Sequence, residues 1–155
     1  MSLDFYIRLE TDFDLVGMSE LIDKVGIQWN SSSQQFEHII SKVCDFFYLG
    51  IVRISPSLSQ ALSETRQIRV PKFSIVMSWK GYTSTPMEAE LHMVEIVVFL
   101  LKELKGDLSF DYEGTPYLIR RSGQVLLSKE VKYWEYDPRY LMLIPTPYQW
   151  VEKLP

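Results

Sequence analysis

The chain has 155 residues, 46% of them hydrophobic and 14% aromatic, with a formal net charge of -4 from 16 basic and 20 acidic side chains. A chain of this length buries roughly two-thirds of its unfolded surface as one domain, and this composition lies far from that of disordered segments. The mild acidity excludes broad phosphate-backbone binding, which needs a concentrated positive footprint, so no nucleic-acid partner is expected. The expectation is a single α+β domain over residues 1–155.

Leu3 to Glu10 alternates apolar and polar residues and predicts a strand with one buried face. Thr11-Asp12-Phe13-Asp14 supplies capping side chains, and Leu15, Met18, Leu21, Ile22 and Val25 follow at helical spacing up to Gly26. Ile27 to Gln35 is polar, with a brief strand expected only around Ile27 and Trp29. Phe36 to Ser41 reads as a turn of helix with Phe36, Ile39 and Ile40 inward.

Asp45 to Ile54 is aromatic and β-branched and predicts a strand near the centre of a sheet. Ser57 to Glu64 reads as either a short helix or a long loop. Strand character returns from Gln67 to Trp79, where Pro71, lacking an N–H, marks an edge or a bulge. Thr85-Pro86-Met87-Glu88 is a helix start with cap, N1 proline and capping-box glutamate, and Met87, Leu91, Val94, Val98 and Leu101 carry the apolar stripe to Gly106.

Beyond Gly106 the period returns to two. Leu108, Phe110 and Tyr112 form a strand, and Thr115 to Arg120 pairs with Gln124 to Leu127 around the turn Arg121-Ser122-Gly123. The tail carries Tyr133, Trp134, Tyr136, Tyr140, Tyr148 and Trp150 between prolines, and Leu141 to Ile144 reads as a last strand. In sum, an antiparallel sheet with two helices on one face is expected, a ferredoxin-like β-α-β-β-α-β core extended by a C-terminal hairpin and an aromatic tail.

Catalytic chemistry finds little support in these residues. The single cysteine, Cys44, lies among Val43, Phe46 and Phe47 and reads as a small buried hydrophobe, with His38 and His92 as the two imidazoles that a Cys-His pair would draw on. Glu88, His92 and Glu95 share a helical face, which suits hydrogen bonding within the helix better than a metal. Asp107 and Asp111 read as solvated turn formers. The seven glycines are scattered and make no phosphate loop. No catalytic residue, cofactor or metal is expected. The longest apolar run, Ile96 to Leu101, is too short to span a membrane, and the N-terminus lacks a secretory pattern, so a cytoplasmic protein without a membrane partner is expected.

Nine tyrosines and four tryptophans favour recognition of a protein, because such rings bury much area at modest entropy cost. The expected interface comprises Tyr112, Glu113, Arg120, Arg121, Tyr133, Trp134 and Tyr136. Two other readings are a small enzyme or ligand-binding protein with a pocket near the second predicted helix, around Glu88, His92 and Asp107, and a structural or oligomerising component.

Gly106-Asp107-Leu108, Tyr112-Glu113-Gly114 and Leu118 to Leu127, with its Arg120-Arg121-Ser122-Gly123, resemble a segment of small bacterial immunity proteins of the SitI type, which protect against polymorphic toxins. The opening strand and Trp134 fit the same pattern. The resemblance implies a cytoplasmic protein that binds and neutralises one cognate toxin domain without catalysis or cofactor.

Overall fold

A computed structural model describes residues 4–35, 37–81 and 85–155. In chain order the elements are β1 (Asp4–Leu9), α1 (Leu15–Asp23), β2 (Ser31–Gln35), β3 (Ile39–Val43), β4 (Phe47–Arg53), α2 (Pro56–Arg66), β5 (Phe73–Trp79), α3 (Pro86–Glu103), β6 (Leu108–Tyr112), β7 (Thr115–Arg121), β8 (Gln124–Ser128), α4 (Tyr133–Tyr136), α5 (Pro138–Leu143) and β9 (Tyr148–Val151). The fold is α+β, and its sheet runs β2-β3-β4-β5-β1-β6-β7-β8-β9. Every pairing is antiparallel except β8 with β9, which is parallel.

Within this order β4, β5, β1 and β6 lie side by side, each antiparallel to its neighbours. Here both neighbours of β1, namely β5 and β6, run antiparallel to it. The segment between α1 and β4 departs from the expectation. The serine run is a strand, β2, hairpinned with β3 where a turn of helix was expected, so α1 is followed by two added strands at one edge of the sheet. Phe36, expected to point inward there, lies outside the described residues. Ser32 pairs in register with Lys42, whose buried Nζ donates to Ser32 Oγ at 3.1 Å and to Asp23 Oδ1 of α1 at 2.7 Å. A tertiary ion pair thus fixes a segment whose local propensity for strand is weak.

The alternation in β1 sends Phe5, Ile7 and Leu9 to one face, where they join Phe47, Leu49 and Ile51 of β4 and Phe73, Ile75 and Met77 of β5. α1, α3, α4 and α5 contribute their buried side chains to this same core. α3 has the expected capping box between Thr85 and Glu88, and the expected strand over Leu141 to Ile144 is instead mostly α5, capped by Asp137, whose carboxylate accepts from the Arg139 amide. Proline at the first helical position of α5 favours that outcome.

The opposite face is thinner. Ile68, Ile119 and Leu154 form a small second cluster there, backed by Leu126 and Val151. α2 touches that side through Arg66, which reaches Asp111 of β6. β6 is therefore covered on both sides, and its first four residues are all buried.

Candidate functional site

Four elements bring tyrosines to one place. β6 and β7 present Tyr112 and Tyr117, α4 presents Tyr133 and Tyr136, and α5 presents Tyr140. Tyr117 and Tyr133 have ring centroids 4.8 Å apart, and Tyr133 stacks on Tyr140 at 5.0 Å. Phe5 and Phe110 close the base of the group. Against this wall stands the first half of α3, and between them lies a cleft of about 550 Å³ lined by Met87, Glu90, Tyr117, Lys132, Tyr133 and Tyr136 among others.

Glu90 is the acidic group of the cleft. It falls three residues after Met87 and four before Val94, on the apolar stripe of α3, which leaves it half-buried. Its Oε2 accepts a 3.0 Å hydrogen bond from the Tyr140 hydroxyl. Burial pushes its carboxyl above the usual range, and the Tyr140 hydrogen bond only partly offsets this. Among the described residues no basic side chain pairs with it: Lys132, at the cleft mouth, is 84% exposed with Nζ 3.8 Å from Glu135.

The tyrosines register the same imbalance. Burial raises the Tyr133 phenol well above its ordinary value, and the charge of Glu90 raises it further. Tyr140 is raised by the same two causes, and Tyr117 is pushed up to about 12 by burial, with Tyr112 and Glu90 adding to it. The Tyr133 hydroxyl is buried and makes no hydrogen bond. Tyr136, by contrast, is 68% exposed at the rim, beside the half-exposed Met87.

The seven expected interface residues divide. Tyr112, Tyr133 and Tyr136 belong to this tyrosine group, with Tyr112 close to Tyr117 and Glu113 exposed in the β6–β7 turn at φ 47°. Arg120, Arg121 and Trp134 turn inward. Arg120 is buried and donates to the carbonyls of Leu101 and Gly106, tying the end of α3 to β7. Arg121 donates to the carbonyls of Gln67 and Arg66, and Trp134, fully buried, donates through Nε1 to Tyr117 O at 2.9 Å. These three hold the scaffold and leave little side chain for a partner.

The expected pocket around Glu88, His92 and Asp107 does not assemble. Glu88 is engaged in the α3 capping box, and Asp107 lies beyond the other end of that 18-residue helix, accepting from the amides of Arg69 and Ser122. His92 pairs with Glu95 at 2.9 Å and its ring lies on Phe46. Cys44 is buried, its thiol pushed up by desolvation, with Sγ donating to Phe47 O. Among the described residues no group of three or more His, Cys, Asp or Glu could hold a metal ion.

A second cleft, of about 610 Å³, lies between the β1–α1 loop and the end of α3, lined by Glu10, Asp12, Phe13, Arg69 and Lys105 among others. Although larger, it is walled mainly by surface side chains, and none of the described buried polar atoms without partners lines it. The tyrosine-lined cleft is the candidate site on chemistry, not on size.

Glu90, Tyr117 and Tyr140 were missed in the sequence. Glu90 had a readable signal, a charge at stripe spacing within an apolar helix. Tyr117 and Tyr140 had none, since pairing across β6–β7 and the docking of α5 bring them in. No family model, curated protein or solved structure matches the chain.

Proposed function

We propose that this protein is a cytoplasmic protein-binding module, an immunity protein that neutralises a cognate bacterial toxin domain by direct binding through the tyrosine-lined cleft. The observation that carries the reading is the pairing of exposed anchors, Tyr136 and Met87, with a cleft whose acidic group has no basic partner among the described residues and whose Tyr133 makes no hydrogen bond through its hydroxyl. Tyrosine and methionine at a rim supply apolar area, and a recessed polar group supplies specificity. The acid surplus of the chain would speed encounter with a basic partner. The resemblance of the β6–β8 segment to SitI-type immunity proteins supplies the class of partner.

The test uses the purified chain as bait in a lysate of its source organism, in parallel with Tyr136→Ala, followed by a high-salt wash. A stoichiometric partner retained by the wild type and lost by the variant, toxic when expressed alone and harmless when co-expressed, supports the reading. A folded bait that retains nothing, or a partner that is harmless alone, overturns it.

A further inference from the structure

We propose that the cleft between α3 and α4 is a receptor for one organic cation, the guanidinium or ammonium end of a basic side chain on the partner. The source of that cation rests on the protein-binding reading above; its chemistry does not. The cleft holds a half-buried carboxylate, Glu90, with a single hydroxyl partner and no basic one among the described residues. Tyr133, which lines it, has a hydroxyl that is buried and without any hydrogen bond, on a side chain more than nine-tenths buried.

Each class of ligand meets these groups differently. An anion would face the Glu90 charge and the electron-rich rings of Tyr117 and Tyr136. A neutral apolar group would take the remaining water from Glu90 and return no hydrogen bond, which is costly for a carboxylate. A cation meets all three demands: charge for Glu90, a donor for the phenolic oxygen of Tyr133, and an attraction to the tyrosine faces that grows as water leaves. Since Glu90 Oε2 is already engaged by Tyr140, the free acceptors are Oε1 and Tyr133 Oη. Two acceptors beside aromatic faces match the planar fork of a guanidinium better than a point-like ammonium.

Among the described residues that line the cleft Lys132 is the one cation, and it does not fill this role. Its ammonium is turned out to Glu135 and solvent.

The experiment titrates the full chain with N-acetyl-arginine amide, N-acetyl-lysine amide and the neutral N-acetyl-norleucine amide, following backbone amide resonances. The expected result is saturable shifts centred on Glu90, Tyr117, Tyr133 and Tyr136, arginine binding more tightly than lysine, and no saturation with norleucine. Glu90→Gln should weaken arginine binding about tenfold, the scale of one charge-assisted contact. Tyr133→Phe, which keeps the ring and removes the unpartnered hydroxyl, should weaken it by less.

Equal binding of the norleucine amide, shifts centred elsewhere, or unchanged affinity in a folded Glu90→Gln would overturn the inference. Cation binding at the cleft with no macromolecular partner captured keeps the site and overturns the protein-binding reading. A partner captured equally by wild type and Glu90→Gln keeps that reading and overturns the cation site.

Discussion

Asp111 Oδ2 meets Arg66 Nη2 at 3.2 Å beneath α2, with the carboxylate fully out of solvent and the guanidinium nearly so. Arg8 Nη1 shares the same oxygen at 2.6 Å. One carboxylate therefore balances two guanidiniums from β1 and the end of α2, and it stands on the sheet face opposite the main core. Asp111→Ala would leave two cations with no counter-charge and should cost about 3–5 kcal/mol in stability. Urea denaturation reads this directly. A loss below about 1 kcal/mol would mean that both guanidiniums reach water and that the cluster behaves as a surface pair.

Arg120 joins the last turn of α3 to β7 through the Leu101 and Gly106 carbonyls, at 2.6 to 2.9 Å. Three N–H groups in one plane make those contacts, so Arg120→Lys keeps the charge and loses the fork. We expect Arg120→Lys to destabilise by about 2 kcal/mol, with Arg120→Met at least as severe because two buried carbonyls lose their donors. Thermal unfolding of both variants checks the order, and equal stability of Arg120→Lys and wild type would show that one donor suffices.

Gly106 is crowded at the same junction. A Cβ there would stand 2.3 Å from the Glu10 carbonyl oxygen, a backbone atom that cannot swing aside. Gly106→Ala should therefore separate α3 from the β1–α1 loop and cost about 1–3 kcal/mol, the range of overpacked positions. Amide exchange resolved by residue would show the opening at Glu10 and Asp107, whose backbone groups are hydrogen-bonded to each other at 3.0 Å. Unchanged protection there would show that the loop relaxes without loss.

Where the sequence was legible, side-chain pattern and local geometry agreed. β1, α1, α3 and the β7–β8 hairpin were readable because each carries its own period, cap or turn residues. β2 was not, since Ser31 to Ser33 holds a strand through Lys42 and Asp23, partners distant in the chain. The parallel docking of β9 on β8 was equally silent, because nothing in Tyr148 to Val151 names its neighbour. The site followed the same rule. Tyr133 and Tyr136 were visible as aromatics, but their opposite exposures, and the convergence of Tyr117, Tyr140 and Glu90 upon them, depend on tertiary docking.

The raised carboxyl of Glu90 gives the stability curve a signed pH dependence. A folded-state value above the ordinary 4.5 means that the folded chain holds its proton to higher pH than the unfolded chain does. Stability from this group is therefore present below about 4.5 and is lost as pH rises through the folded value. The groups facing Glu90 are Tyr117 and Tyr112 of the sheet, Tyr133 of α4, Tyr140 of α5 and the solvent-turned Lys132; the three most buried phenols titrate well above this window. Glu90→Gln, which can still accept from Tyr140, should gain on the wild type as pH rises through that interval and then hold a constant advantage. Melting temperatures across pH 4 to 8, a range set about the window above, test this, and parallel curves would refute it.

Two residues apart in sequence, Trp134 and Tyr136 should give opposite outcomes. Trp134 has no solvent exposure, packs against Phe110 and Tyr133 and donates to the Tyr117 carbonyl, so Trp134→Ala opens a large cavity and should cost about 3–5 kcal/mol. Tyr136 is 68% exposed, and Tyr136→Ala should change stability by no more than about 0.5 kcal/mol. If Tyr136 anchors a partner, the same substitution should reduce affinity by about 2 kcal/mol, roughly thirtyfold. The pair separates scaffold from surface with one assay of each kind. A Tyr136→Ala protein that binds its partner as the wild type does would move the contact surface away from this rim, whereas a destabilised one would make Tyr136 part of the lid over the core.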